Sequence, residues 1–218
     1  KNDIDEVLSL GLQPLANKYP KNKNDFLDEK TFPLNLLFCS NCLNVQIKKI
    51  IDRKEMFEEY YYLSSVNEGL VSHFENLAKK LSSSSFIVDI GSNDGILLKP
   101  LKSMGIKALG IDPSINVGKI ANDNGLKTLI GFFNNSFVKK IINDYGKPDT
   151  IVASSVFTHS ENPKQFAIDI KKLIEENGFL ILEVEYLSNF IKNIQFERFY
   201  FDRPFYYSLS SIKILFQQ

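Results

Sequence analysis

The sequence has little of what several classes of protein require. It contains only two cysteines, Cys39 and Cys42, which suits a reducing cytoplasmic compartment better than a disulfide-stabilised secreted domain. Its 26 basic residues balance 26 acidic ones, so we expect no field that would hold nucleic acid or an anionic membrane. No apolar run approaches the ~20 residues of a membrane-spanning helix, and no signal peptide opens the chain. These deficits favour a cytoplasmic protein without a nucleic-acid or membrane partner.

Hydrophobic residues make up 44% of the 218 residues, enough for an α/β domain with a smaller appendage. Short apolar runs predict five strands at 86–90, 106–111, 126–130, 150–153 and 179–184. Helical patterns alternate with these runs, at 94–103, 114–124, 134–145 and 163–177. Strands separated by helices in this way predict an α/β fold with a parallel, Rossmann-like sheet.

The part before this pattern differs in character. Residues 1–55 contain several prolines and a polar stretch, and they predict a small, irregular, loop-rich module without a sheet layer. Apolar residues between Val66 and Leu81 follow helical spacing and predict a connecting helix, with a serine linker after it. We therefore expect three parts: an irregular module over residues 1–65, a connecting helix and linker over residues 66–85, and a Rossmann-like sheet domain over residues 86–218.

A glycine turn follows the first predicted strand. Asp89-x-Gly91-x-x-x-Gly95 leads into a helix whose free N–H groups can face a ligand, and Gly91 lets the backbone approach it closely. Alternatively, the glycines serve only the geometry of a tight strand-to-helix turn.

A second acidic residue favours the ligand-binding reading. Asp112 ends the second strand, at the place where dinucleotide-binding folds hold ribose hydroxyls. The glycine pattern of nicotinamide enzymes is absent, and S-adenosylmethionine, which has no pyrophosphate, does not need it. The cationic groups of that cofactor suit Asp89. These features favour a methyltransferase over a dehydrogenase.

Further segments occur in one order along the chain, namely 10–17, 32–42, 59–66, 90–95, 110–113, 156–159 and 179–184. In these segments the sequence resembles the sugar C-methyltransferases that methylate nucleotide-linked 4-keto-6-deoxy sugars and carry an N-terminal zinc module. The resemblance implies S-adenosylmethionine as cofactor, a nucleotide sugar as substrate, and methyl transfer to the carbon beside a ketone.

The resemblance also implies roles for individual residues. The cofactor would be held by Asp89, Gly91, Ser92, Asn93, Gly95, Asp112, Pro113, Phe132 and Ser154. The substrate would be held by Tyr60, Tyr62, Glu183, Asp202 and Arg203. Cys39 and Cys42 would be metal ligands, and His159 would be the catalytic base, with Tyr62 and Arg203 as helpers. His73 is interpreted as a packing or surface residue.

The sequence departs from that family at four places. The family's second cysteine pair would lie before Lys1, and two thiolates do not complete a zinc site. Ser154-Ser155 stands where the family usually has two asparagines. Phe201-Asp202-Arg203 stands where it has His-Glu-His. The C-terminal half of the family's proteins has no counterpart after Gln218, so we expect a truncated fold.

Two alternatives to this function stay open. The protein could methylate a hydroxyl or an amine, or it could be an inactive relative that only binds a ligand or a partner.

Overall fold

The computed structural model describes residues 3–15, 22–27, 29–53, 56 and 62–217. The strands are β1 Ile4–Pro14, β2 Thr31–Cys39, β3 Asn44–Ile47, β4 Phe86–Ile90, β5 Lys107–Asp112, β6 Thr128–Ile130, β7 Thr150–Ser154, β8 Phe179–Glu183 and β9 Phe205–Tyr206. The α-helices are α1 Glu68–Lys80, α2 Leu98–Ser103, α3 Ile115–Asp123, α4 Asn135–Tyr145, α5 Pro163–Leu173, α6 Leu187–Lys192 and α7 Leu209–Phe216. Within the described ranges no helix is both long and apolar enough to cross a membrane.

The chain forms two compact units. The first, called here the N-terminal unit, comprises residues 1–56, 158–163 and 184–218. The second, the parallel-sheet unit, comprises residues 57–157 and 164–183. Residues 184–218 thus group with the N-terminal residues, whereas the domains predicted from the sequence follow the chain linearly.

The parallel-sheet unit contains the predicted sheet. Its strand order is β6-β5-β4-β7-β8, and every neighbouring pair is parallel. All five residues of the central strand β4 are buried, because helices cover both faces of the sheet. Val88 packs on one side with α4 and α5, and Ile87 packs on the other with α1 and α2. The predicted Rossmann-like fold class is confirmed.

One helix begins later than predicted. The sequence pattern placed its start at Asp94, but residues 93–97 form turns and α2 begins at Leu98. Asn93 and Gly95 adopt positive φ angles of 49° and 85°, which a helix cannot contain. The result is a long loop after β4, called here the β4 loop, over residues 91–97.

The expectation that residues 1–55 lack a sheet layer is wrong. They form three strands of an antiparallel sheet of order β1-β2-β3-β9. The pairing of β1 with β2 shifts register twice, between Glu6 and Leu8 and between Ser9 and Leu12, so the strand pattern is broken in the sequence. Pro33 lies in β2 beyond the residues that pair with β3, where a missing N–H is tolerated.

The fourth strand of this sheet comes from the far end of the chain. Val45 in β3 pairs with Tyr206 in β9. The Tyr206 hydroxyl accepts a hydrogen bond from the Tyr200 N–H at 2.7 Å and donates one to the Tyr200 carbonyl at 3.1 Å. Leu36 and Phe199 are buried in the same core as Tyr206. The aromatic C-terminal segment is therefore part of the core of the N-terminal unit.

Candidate active site

The β4 loop turns sharply at Gly91. Its φ is +78°, and a Cβ added there would lie 2.7 Å from Val156 Cβ, so a larger residue would strain the backbone and clash. The N–H groups of Gly91 and Ser92 both donate to the Ile111 carbonyl, at 2.7 and 3.2 Å. The Gly95 N–H donates to the Ser92 carbonyl at 2.9 Å. These bonds fix the loop against the end of β5.

Asp112 holds the same loop from the end of β5. One carboxylate oxygen accepts from the Asn93 N–H at 2.8 Å, and the other accepts from the Ser114 N–H at 2.9 Å. The Ser114 side chain adds a further hydrogen bond to this carboxylate, which has about four lone-pair sites and could therefore still accept from a ligand hydroxyl. Asp112 is therefore structural as well as a candidate for binding ribose.

The helix that was expected to present free N–H groups begins only at Leu98, beyond the glycine turn. The N–H groups of Gly91, Ser92, Asn93 and Gly95 all have partners inside the protein. The loop consequently offers carboxylates and side-chain oxygens, and this set suits a cationic ligand better than a phosphate.

Two loop side chains bind the segment that precedes α1. The Asn93 amide accepts from the Ser64 N–H at 2.8 Å and donates to the Tyr62 carbonyl at 3.2 Å. The Asp94 carboxylate accepts from the N–H and the hydroxyl of Ser65. These contacts, called here the loop latch, hold Tyr62 beside the β4 loop with its side chain 45% exposed. Tyr60 lies outside the described residues.

Buried carboxylates make this edge of the sheet electronegative. Asp89 is 3% exposed, and no hydrogen bond or ion pair to its side chain occurs among the described residues. Burial, and then the charges of Asp112 and Glu183, raise its pKa to about 7. Burial also raises the pKa of Asp112, despite the bonds to its oxygens. A cation placed here would stabilise the ionised carboxylates.

The neighbouring strands add polar groups on the same face. Ser154 ends β7 and lies in register with Glu183 at the end of β8. The Ser154 Oγ is buried and has no hydrogen-bond partner in the described part of the chain. The Glu183 Oε1 lies 2.7 Å from His73 Nε2 on α1. The pairing of His73 was not predicted, because it joins residues 110 positions apart with no local pattern.

Two other predicted cofactor residues flank Asp112. Pro113 follows it directly, and Phe132 lies just after Gly131, whose N–H donates to the Asp112 carbonyl at 2.8 Å. The Phe132 carbonyl accepts from the Asn134 side chain at 2.9 Å, which fixes the turn. Both residues are half-buried. The structure therefore brings all nine predicted cofactor residues into one unit.

The predicted base belongs to the N-terminal unit. His159 Nδ1 donates to the Asp202 carbonyl at 2.5 Å, and it lies 4.0 Å from the Asp202 carboxylate. This bond fixes the proton on Nδ1 and the lone pair on Nε2. The pKa of His159 is lowered, chiefly by burial; Asp202 acts in the opposite direction, and the charges of Arg203 and Arg53 lower the pKa further. His159 is accordingly neutral at pH 7, as a base must be.

Arg203 is engaged with an acid in the same unit. Its Nη1 forms an ion pair with Glu185 Oε2, and its guanidinium lies 5.7 Å from the centre of the Tyr200 ring. Glu185 was not predicted as a site residue. Because its carboxylate offsets the charge of Arg203, this arginine is less available to stabilise a developing anion than the sequence suggested.

Residues 57–218, most of the chain, match the family model described as a methyltransferase domain. The chain belongs to the methyltransferase domain family. Residues 1–57 match a second family model, described as a zinc binding domain.

Curated relatives agree with this assignment. The C-methyltransferase NovU of Streptomyces niveus is 27% identical over 218 residues, which cover 97% of this chain and 52% of that protein. The mitochondrial ubiquinone biosynthesis O-methyltransferase of Arabidopsis thaliana is 26% identical over 126 residues, covering 55% of this chain and 39% of that protein. The chain thus spans about half the length of NovU and less of the other relative.

Solved structures place the methyltransferase domain in its fold class. A SAM-dependent methyltransferase from Archaeoglobus fulgidus superposes with a TM-score of 0.58 at 14% identity, covering 69% of this chain and 66% of that one. One from Thermotoga maritima has a TM-score of 0.50 at 19% identity, with coverages of 67% and 68%. The fold is that of the class I methyltransferases that use S-adenosylmethionine.

The cysteine pair ahead of the methyltransferase domain does not make a complete zinc site. Cys39 ends β2, Cys42 lies within the turn that leads to β3, and both are free thiols. Hydrogen bonding from the Cys42 backbone lowers the pKa of Cys39, and burial raises the pKa of Cys42. A tetrahedral zinc site needs four ligands. The described residues contain no group of three or more side chains that could hold a metal ion together.

Proposed function

We propose that this methyltransferase domain transfers a methyl group from S-adenosylmethionine to the carbon beside the ketone of a nucleotide-linked deoxy sugar. The observation that carries the proposal is the similarity to NovU, a C-methyltransferase, over 97% of this chain. The resemblance of the motifs to the sugar C-methyltransferases supplies the class of acceptor.

The residues of the parallel-sheet unit fit the cofactor. The carboxylates of Asp89 and Glu183 suit its cationic groups, and Asp112 has lone pairs for ribose hydroxyls. The buried, unpartnered Ser154 Oγ offers a further polar contact. When bound, S-adenosylmethionine supplies a methyl group activated by a sulfonium. Gly91 has no side chain, so the backbone of the β4 loop can approach a bound cofactor closely.

In the proposed reaction, a base takes a proton from the carbon beside the ketone. His159 is the candidate base, because its lone pair is on Nε2 and it is neutral near pH 7. The electron pair of the broken C–H bond passes into an enolate, whose carbon would take the methyl group as the sulfur–methyl bond breaks and S-adenosylhomocysteine leaves. Tyr62 is the candidate hydroxyl donor to the developing oxyanion, and Arg203 contributes positive charge beside His159.

Calorimetric titration with S-adenosylmethionine and S-adenosylhomocysteine tests the cofactor assignment. We expect micromolar binding to the wild-type protein and a loss of at least tenfold in Asp89→Asn. Asp144→Asn is the matched control, because Asp144 is exposed and forms a surface ion pair with Lys140 at 2.9 Å. A folded wild-type protein that releases no heat would sink the proposal and favour an inactive relative.

Methylation of a hydroxyl is the second candidate, because the Arabidopsis relative is an O-methyltransferase. Deuterium exchange separates the two candidates. A C-methyltransferase incubated with a thymidine-diphosphate-linked 4-keto-6-deoxyhexose and S-adenosylhomocysteine in heavy water should introduce deuterium beside the ketone. An O-methyltransferase should not, because it removes no carbon-bound proton.

A further inference from the structure

The parallel-sheet unit contains its own histidine. The chain has only two, and His159 belongs to the other unit, so His73 is the one imidazole in the unit that carries the β4 loop. His73 is also hydrogen-bonded to a carboxylate, with 2.7 Å between its Nε2 and Glu183 Oε1. A surface pair of this kind contributes little to stability, so stability does not explain why it is present. Its place in the fold suggests a functional role instead.

The packing of α1 explains why the pair forms at the edge where ligands bind. Phe74 of α1 is buried against Ile87 and Val152, on one face of the sheet. Side chains alternate along a strand, so Asp89 and Ser154, each two residues further on, lie on that same face. The carboxyl ends of parallel strands are where such folds bind ligands. His73, whose Nε2 lies 2.7 Å from Glu183 Oε1 at the end of β8, is therefore at this edge of the sheet.

The pair is close to the buried carboxylate and still open to an acceptor. The Glu183 charge contributes to the raised pKa of Asp89, which places Glu183 within electrostatic reach of the β4 loop. The side chain of His73 is 49% exposed and that of Glu183 is 33% exposed. Among the described residues, His73 Nδ1 has no hydrogen-bond partner.

We propose that His73, oriented by Glu183, is a catalytic residue that donates a hydrogen bond from Nδ1 to the ketone oxygen of the acceptor. This inference rests on the proposed function. In the imidazolium both nitrogens are donors, so Nε2–H binds Glu183 while Nδ1–H binds the oxygen. A separate base takes the carbon-bound proton, and the resulting negative charge on the oxygen is stabilised by His73. The enolate carbon then bonds to the methyl group as the sulfur–methyl bond breaks, leaving S-adenosylhomocysteine.

The inference assigns the stabilising role to a residue that the sequence suggested only for packing. Arg203, the other cationic candidate, is paired with Glu185.

Two substitutions separate the roles of the ring nitrogens. His73→Gln keeps a donor near the Nε2 position and so keeps the contact with Glu183, but it loses the Nδ1 donor. His73→Asn keeps a donor near the Nδ1 position and loses the Glu183 contact. The readout is deuterium exchange into the 4-keto-6-deoxyhexose probe with S-adenosylhomocysteine, together with the separate kcat and KM of methyl transfer.

We expect His73→Gln to lower kcat and the exchange rate by about 100-fold, and His73→Asn to retain clearly more of both. Affinity for S-adenosylhomocysteine should stay within about twofold in each variant, which shows that the fold is intact. Unchanged exchange in His73→Gln would overturn the inference and leave the proposed function standing. Absence of exchange in the wild-type protein would overturn both together.

Discussion

Asp89 shows how a residue that suits a ligand can oppose folding. It is buried in the central strand of the parallel sheet, and its pKa rises from an ordinary 3.8 to about 7. A carboxyl with a raised pKa contributes stability that is fully present below the unfolded value, near pH 4, and is lost as the pH rises through 7. At pH 8 the ionised group therefore destabilises the protein when no ligand is bound.

We accordingly predict that Asp89→Asn melts at a higher temperature than the wild-type protein at pH 8. The gain is a few kcal/mol at most, since one unit of pKa corresponds to about 1.4 kcal/mol. Calorimetry at pH 5, 6, 7 and 8 should show a difference that grows with pH and levels above 7. A constant difference at all four values would contradict the role of ionisation. Asp144→Asn, at an exposed position, should show no such trend.

The same residue predicts how cofactor binding depends on pH. A cationic ligand favours the ionised Asp89, so binding below pH 7 must first remove a proton. Affinity for S-adenosylmethionine should fall as the pH drops from 8 to 6, by up to about tenfold per unit in the limit. S-adenosylhomocysteine lacks the sulfonium and should show a shallower dependence. Calorimetry in buffers of different ionisation enthalpy counts the proton released. Release that persists in Asp89→Asn would assign the proton to another group.

At the scale of single elements, the β4 loop depends on the close approach of two segments. A Cβ on Gly91 would lie 2.7 Å from Val156 Cβ and would also sit at a positive φ. We predict that Gly91→Ala destabilises the protein and weakens cofactor binding. Adding Val156→Gly should restore part of the stability, because it removes the clashing Cβ together with both methyl groups but leaves the backbone penalty of about 1 kcal/mol at position 91. Urea unfolding of both single variants and the double variant measures the coupling. Strictly additive effects would exclude the proposed clash.

Elements with local sequence signals were predicted, and those built from distant contacts were not. The strands of the parallel sheet are short apolar runs buried on both faces, so β4 was located at the observed residues. The sheet of the N-terminal unit was missed because its register shifts break the alternation and its fourth strand follows residue 200. In the site, Gly91 and Asp112 carry motifs. The loop latch and the His73–Glu183 pair join residues 29 and 110 positions apart and have no motif.

In the molecule as a whole, the two units have separate hydrophobic cores and contain different sets of candidate site residues. The parallel-sheet unit holds every residue proposed to bind the cofactor. The N-terminal unit joins its antiparallel sheet to residues 184–218, and it contains His159, Asp202 and Arg203. The N-terminal unit therefore joins residues that are far apart in the sequence. The pairing of β3 with β9 makes this connection.

A substitution at Tyr206 in β9 tests whether the N-terminal unit contributes to stability without contributing to cofactor binding. Its hydroxyl bonds both the N–H and the carbonyl of Tyr200, and burial raises its pKa well above the ordinary range. Tyr206→Phe leaves both backbone groups without that partner, so we predict a loss of about 1–3 kcal/mol in unfolding free energy. Affinity for S-adenosylhomocysteine should not change at temperatures where the variant is folded, because none of the residues proposed to bind the cofactor lies in the N-terminal unit. Urea unfolding and calorimetric titration of the same sample measure both. A variant that keeps its stability but loses cofactor affinity would show that the C-terminal segment contributes to the cofactor site itself.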